Sequence, residues 1–333
     1  MGGMWDLIVV GAGPVGLAAA IEAKRHGLRA LVLEKGPLLN TLYRWPRETV
    51  FFSEAKNLEI GGHPFPSLAP KPTRREALAY YRRVAEVEGL EVHTYAEVTG
   101  IAGAQGNFTV GYRGRDGEGS YRARFVIVAT GYYDNPNRLG VPGEELPHVR
   151  YGIDEALGYW RQEVVVVGGS NSAVETALEL YRGGARVTVV HRAAEIRPRV
   201  KYWLKPDFEN RVKEGSIRLL LSAKVLEIGP RSLTVEQPGG LQTLPADFVV
   251  VHIGSRAVDR LLRQAGIRFD EHGDQPVLCA AYETSLPGLF VVGSAGFGSD
   301  TRTVFIENGR EHARAAVAEI ARRLTPTPAP EAG

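Results

Sequence analysis

The sequence holds one cysteine, Cys279, in 333 residues. One thiol cannot close a disulfide within its own chain, so the protein is not a disulfide scaffold. A cysteine-ligated zinc or iron–sulfur centre is excluded for the same reason. The 8 histidines show no ligand spacing such as H-E-x-x-H, so no metal is expected. The 40 basic and 38 acidic side chains leave a net charge of +2, with no excess of positive charge for nucleic acid or an anionic membrane. No uninterrupted apolar run reaches the roughly 18 residues of a membrane span. The stretch Met1–Ala20 mimics a signal peptide but lacks a basic n-region, carries Asp6, and is broken by Gly11, Gly13 and Pro14. A soluble cytoplasmic protein is the expectation. Asn and Gln together number 14, and such scarcity of thermolabile residues accompanies heat adaptation or a biased genome.

What is present is ordinary globular composition, 44% hydrophobic and 23% charged. At roughly 150 residues per domain the length predicts two domains. Two segments share one plan of apolar strand, Gly-rich turn, helix, Gly stop and apolar strand. The first is Trp5–Val10, GAGPVG, a helix to His26, and Leu28–Leu33. The second is Glu163–Val167, GGSNSA, a helix to Arg182, and Ala185–Val190. Each reads as a right-handed βαβ unit of a parallel sheet. Between them, Thr73 and Glu76 form a capping box ahead of a helix over 74–88. Strands follow near 107–113 and 121–128, then a Gly-, Asn- and Pro-rich linker from 131 to 147. A strand at Leu289–Val292 and a helix from Thr303 to Leu324 close the pattern. The predicted fold is α/β: two Rossmann-like three-layer dinucleotide-binding domains, the second inserted in the first. The expected boundaries are 1–140 with 255–324, and 141–254. The Pro-rich tail 325–333 is expected to be disordered.

Gly11-Ala12-Gly13-Pro14-Val15-Gly16 is a GxGxxG between strand and helix. Gly11 permits the tight turn, Gly13 lets backbone approach a pyrophosphate, and Gly16 lets helix and strand pack. The helix N-terminus favours the phosphates. Glu34, followed by Lys35, closes the second strand, where a carboxylate can accept both hydroxyls of an unphosphorylated ribose. In the second turn, Gly168-Gly169-Ser170-Asn171-Ser172-Ala173, Ser170 stands at the central glycine position. The next strand ends in His191-Arg192, with Arg197 beyond, and no acid stands where Glu34 does. A guanidinium there selects a 2′-phosphate, so the second nucleotide is expected to be NADPH. Glu175 is read as a cap on Ser172 that also faces the nicotinamide amide.

These motifs, with Ala129-Thr130-Gly131 and the run Thr284–Gly293 (TSLPGLFVVG), resemble the two-dinucleotide flavoprotein reductases of the thioredoxin reductase group. More narrowly, FFSEAKNLEIGGHPF (51–65), KPTRREALAYYR (71–82), ATGYYDNPNRLGVPGE (129–144) and FIENGR (305–310) resemble the bacillithiol disulfide reductase (YpdA-type) family. The resemblance implies FAD in the split domain and NADPH in the inserted one. It also implies that Ala129, Thr130 and Gly131 lie beside the FAD and that the last helix directs its N-terminus at the flavin.

Three departures stand out. The chain lacks the Cys-x-x-Cys of thioredoxin reductases. Val15 stands where YpdA-type proteins commonly carry a cysteine. Gly293-Ser294 replaces the Gly-Asp that usually contacts the FAD ribitol, and a hydroxyl can still hydrogen-bond there. Cys279 reads as a small buried hydrophobe. Tyr43, in a segment with Trp45, Phe51 and Phe52, is the first choice to stack on the flavin, with core packing the alternative. The expected partners are a small-molecule or small redox-protein electron acceptor and a second copy of the chain. A low-molecular-weight disulfide is the acceptor the resemblance implies. A ferredoxin reductase, a flavin monooxygenase and a non-enzymatic redox sensor remain open.

Overall fold

The computed structural model describes residues 3–198, 200–257, 260–300 and 303–325. The tail read as disordered lies, from residue 326 onward, outside the described residues, as does Arg199 of the basic segment. The chain forms two compact units. Unit 1 is Met1–Arg44, Thr49–Asn135 and Ser255–Gly333; unit 2 is Trp45–Glu48 and Pro136–Gly254.

Unit 1 begins with β1 (Trp5–Val10), α1 (Pro14–Arg25) and β2 (Ala30–Leu33). Pro14 occupies the first helical position, where its missing N–H costs nothing. Gly27, at φ +72°, turns the chain out of α1 in the left-handed region that glycine favours. There follow α2 (Asn40–Tyr43), α3 (Arg74–Val87), β3 (Val92–His93), β4 (Glu97–Ala104), β5 (Asn107–Gly114) and β6 (Gly117–Val128). The α3 box forms as the spacing predicts. Thr73 Oγ1 accepts from Glu76 N at 3.2 Å, and Glu76 accepts from Thr73 N at 2.7 Å. The amides of Thr73 and Leu68 draw the Glu76 carboxyl down to about 2.

The sheet runs β3-β2-β1-β6-β5-β4. The end of β6 is parallel to β1, while its beginning is antiparallel to β5. Parallel strands covered on both faces need apolar side chains on both, which is why Leu7–Val10 and Phe125–Val128 read as unbroken apolar runs and are buried throughout.

Unit 2 contains β7 (Val149–Arg150), β8 (Glu163–Val167), α4 (Asn171–Arg182), β9 (Arg186–Val190), α5 (Lys205–Lys213) and β10 (Ile217–Leu220). After them come β11 (Lys224–Gly229), β12 (Ser232–Gln237), β13 (Gly240–Pro245) and β14 (Phe248–Val251). An all-parallel sheet has the order β10-β9-β8-β14-β7, and β11-β12-β13 form a separate antiparallel sheet. Back in unit 1 lie α6 (Arg260–Gln264), β15 (Leu289–Val291), parallel to β6, and α7 (Ile306–Leu324). α7 starts three residues later than its apolar pattern predicts. Asn308 Oδ1 accepts from Phe305 N at 2.8 Å and so fixes Phe305 as the cap.

Candidate functional site

Each unit builds one turn in the same way. Gly11 N donates to Leu33 O at 2.8 Å, and Gly168 N donates to Val190 O at 3.0 Å. Ala129 N donates to Val10 O, and His252 N to Val167 O, both at 2.8 Å. Each Gly-rich turn thus sits at the C-terminal end of a central strand, beside the strand where chain order reverses. Ligands of open α/β sheets bind in that crevice. The segment Ala129-Thr130-Gly131 after β6 therefore corresponds to His252-Ile253-Gly254 after β14. The sequence analysis missed the second. Its signal is the parallel between FVIVATG (125–131) and FVVVHIG (248–254).

In unit 1 a Cβ on Gly16 would lie 1.9 Å from Gly11 O, so only glycine fits. A Cβ on Gly13 would meet nothing within 4 Å, so the outer side of the turn is open to a ligand. Val15 packs inward, with its methyl groups 3.2 Å from where a Gly293 Cβ would stand and 2.8 Å from that of Gly309. Buried Glu34 accepts from Ala12 N at 2.8 Å and from Gly36 N at 3.1 Å. Burial raises its pKa, opposed by those two amides and Lys35. Each carboxylate oxygen keeps a further lone pair for a ribose hydroxyl. Lys35 Nζ is held 2.9 Å from Asp134, which also accepts from Asn40 Nδ2 at 2.9 Å. Its ammonium is thus committed to a protein carboxylate. Across the turn, the buried Thr130 Oγ1 has no hydrogen-bond partner, and Ser294 Oγ stands 3.8 Å from where a Gly131 Cβ would be.

In unit 2 the imidazole of His191 lies on Gly169, where a Cβ would come within 2.5 Å of the ring. His191 is buried and its Nε2 has no partner. Burial, then the charges of Arg197 and Arg192, lower its pKa. The basic segment folds back onto the turn: Arg197 N donates to Gly169 O at 3.1 Å and Lys201 N to Asn171 Oδ1 at 2.9 Å. Arg192 and Arg197 are exposed.

Two readings are corrected. Glu175 does not cap Ser172. Val174 N already donates to Ser170 O at 3.1 Å, so α4 begins earlier, with Ser170 as N-cap and Ser172 inside the helix. Glu175 lies half-buried beyond the first turn, and burial with the nearby Glu179 raises its pKa to about 7. Cys279 is exposed rather than buried. It opens a tight turn in which Tyr282 N donates to its carbonyl at 2.9 Å, and this turns the side chain to solvent. The aromatic segment divides. Phe51 is buried, while Tyr43 is 56% exposed, which removes core packing as its role.

α3 carries a full side-chain cap, whereas α1 starts at Gly13 and α4 at Ser170 with no side-chain cap bond. The first amides of a helix need acceptors. An uncapped helix N-terminus at the Gly-rich turn of each unit is suited to the phosphates of a dinucleotide.

Comparison with known proteins agrees. Residues 8–293 match the family described as pyridine nucleotide-disulphide oxidoreductase, and the chain belongs to that family. It is 39% identical over 318 residues to bacilliredoxin reductase Bdr of Bacillus subtilis (strain 168), covering 95% of this chain and 97% of that protein. It is 29% identical over 297 residues to a ferredoxin–NADP reductase of Ignicoccus hospitalis, covering 87% and 90%. Among solved structures, bacillithiol disulfide reductase Bdr (YpdA) from Bacillus cereus superposes with a TM-score of 0.93 at 39% identity, over 96% of this chain and 100% of that one. The protein is an FAD-dependent NADPH oxidoreductase.

Proposed function

We propose that unit 1 holds FAD, that unit 2 holds NADPH, and that the protein reduces a disulfide, either of a low-molecular-weight thiol or of a small redox protein. The observation that carries the assignment is the opposite chemistry at the two strand ends: buried Glu34 in unit 1, and Arg192 and Arg197 beside His191 in unit 2. A carboxylate accepts from a free ribose and repels a 2′-phosphate; guanidinium does the reverse. The residues of unit 1 fit FAD. The space at Gly13 admits a pyrophosphate, and the unpartnered Thr130 hydroxyl and Ser294 offer polar contacts at the end of β6. Gly11, Pro14, Val15 and Gly16 shape the turn, and Ala129 and Gly131 flank it. In unit 2, Gly168, Gly169, Ser170, Asn171 and Ser172 form the matching turn, and half-buried Glu175 would contact the nicotinamide amide. Once bound, the cofactors supply hydride transfer from nicotinamide to flavin and electron transfer onward. The protein's part is to bind and orient them.

A second reading has its own observation. Val15 stands where the resemblance implies a cysteine, and the one cysteine, Cys279, lies on an exposed turn. Chemistry without a protein thiol also suits a one-electron acceptor such as a ferredoxin. Anaerobic addition of NADPH, followed by a panel of low-molecular-weight disulfides, a disulfide-bearing redox protein, a ferredoxin and a quinone, tests both. Turnover on a disulfide supports the first reading; turnover on ferredoxin alone replaces it. We also propose that the protein is cytoplasmic and that two copies associate, which size-exclusion chromatography with light scattering tests.

A further inference from the structure

We propose that Glu307 and Arg310 are positioning residues that fasten segment 51–60 to the first turn of α7 and so set how far solvent and acceptor reach the flavin. The proposal rests on FAD occupying unit 1. Four successive residues of α7 divide the work. Glu307 accepts from Ser53 Oγ, and Arg310 donates to the carbonyl of Glu59, so side chains three residues apart grip both ends of the segment. Between them, Asn308 holds the amide of Phe305. Gly309 lets the turn press against unit 1's Gly-rich turn, for a Cβ there would lie 2.8 Å from Val15 and 3.3 Å from the Gly293 Cα. The helix end is therefore wedged against the Gly-rich turn, and the segment it grips is fastened to that same wedge.

From the other side α3 grips the same segment. Tyr81 Oη donates to Leu58 O at 2.8 Å, and Ile60 N donates to Tyr80 Oη at 3.0 Å. Within residues 51–60 the regular structure is one short 3₁₀ turn, Ala55–Leu58. The start of the segment is tied through its backbone, Phe51 N donating to Pro72 O and Ala55 N to Pro70 O, both at 2.9 Å, while side chains from two helices hold its later part. Phe52 and Phe305, which flank the Ser53–Glu307 contact, are 39% and 55% exposed. The contact itself is part-buried beside these exposed rings.

The fold explains why SEAKNLE (53–59) and FIENGR (305–310), some 250 residues apart in sequence, are halves of one fastening. Ser53→Ala removes the donor to Glu307, Ser53→Thr retains it, and Glu307→Ala tests the contact from the other side. Removing a hydrogen bond to a carboxylate moves a local closed–open equilibrium about tenfold toward open. The measurement is collisional quenching of the bound flavin's fluorescence by acrylamide. This neutral quencher does not respond to the lost charge. FAD content and thermal unfolding are recorded first. Ser53→Ala and Glu307→Ala are expected to hold FAD at the unaltered stoichiometry, with a several-fold larger quenching constant that Ser53→Thr restores. A quenching constant unchanged in both alanine variants overturns the proposal. So does an increase that Ser53→Thr fails to reverse, because that reports a structural defect rather than this contact. An unaltered protein without FAD overturns the underlying cofactor assignment instead, so the two failures are distinguishable.

Discussion

The two Gly-rich turns have the same backbone frame and opposite decoration. In both, the first glycine donates to the last residue of the neighbouring strand, and the residue after the opposite strand donates back into the central one. They differ in what lies on that frame. Glu34 is satisfied by Ala12 N and Gly36 N, while His191 rests on Gly169 with Nε2 unpartnered. They differ also in tolerance. Position 16 must be glycine, whereas its counterpart is Ala173, whose methyl group is buried without exposure. Frame and selectivity are therefore separable. The backbone supplies the phosphate cradle in both units, and one or two side chains at the next strand end choose the nucleotide.

The largest effect is expected where the frame itself is hit. Gly16→Ala forces a methyl group to within 1.9 Å of Gly11 O, and backbone cannot yield as a flexible side chain does. A loss of about 3 kcal/mol is expected, with FAD released on gel filtration. The mirror change in unit 2, Ala173→Gly, costs only about 1 kcal/mol through helix propensity and a lost methyl group. Equal losses in urea unfolding would break the comparison. Next comes selectivity. Arg192→Ala removes a charge-assisted contact worth about 1.5–3 kcal/mol, so NADPH binding should weaken roughly ten- to a hundredfold while NADH binding changes little. Titration of flavin absorbance with each nucleotide measures this. If the unaltered protein uses NADH as well as NADPH, the arginines have been misassigned.

Glu175 sharpens the contrast from the inside. Its carboxyl is raised from 4.5 to about 7 by burial and by Glu179, so the folded state binds its proton more tightly than the unfolded chain. Stability should fall as pH rises through that window and stay lowered above it. Glu175→Gln should flatten that slope and raise stability at pH 8 on the order of 1–2 kcal/mol, with little change at pH 4. Thermal melts of the nucleotide-free protein at both pH values decide this. The smallest effect belongs to Cys279→Ser. An exposed side chain away from any cap or buried network changes stability by no more than about 0.5 kcal/mol. Reduction of flavin by NADPH and its reoxidation by a disulfide should both survive. Selective loss of reoxidation would make Cys279 a nucleophile.

The periodic elements were legible in the sequence. β1, β8 and α4 fall within a residue or two of the expected bounds, because short buried parallel strands must be apolar on both faces and Gly stops mark the helices that follow. The strands β10 to β13 were not assigned. Half-exposed strands such as Ser232–Gln237 mix polar and apolar residues and carry weak patterns. The capping box of α3 was legible because both partners lie within four residues. The apparent Ser172–Glu175 box has the same spelling and does not form, since hydrogen bonds of the β8 turn start α4 earlier.

By itself, then, the sequence determined what is local: two strand–turn–helix frames, the sign of charge at each strand end, and the absence of any thiol pair. Those properties follow from residue type and short spacing, which the chain fixes before it folds. The tertiary structure alone decided what depends on distant segments meeting. It turned Cys279 to solvent, committed Lys35 to Asp134, laid His191 on Gly169, and brought Ser53 to Glu307. No spacing rule reaches that far, because contacts between remote segments are set by how the sheets and helices pack and not by the order of residues along the chain.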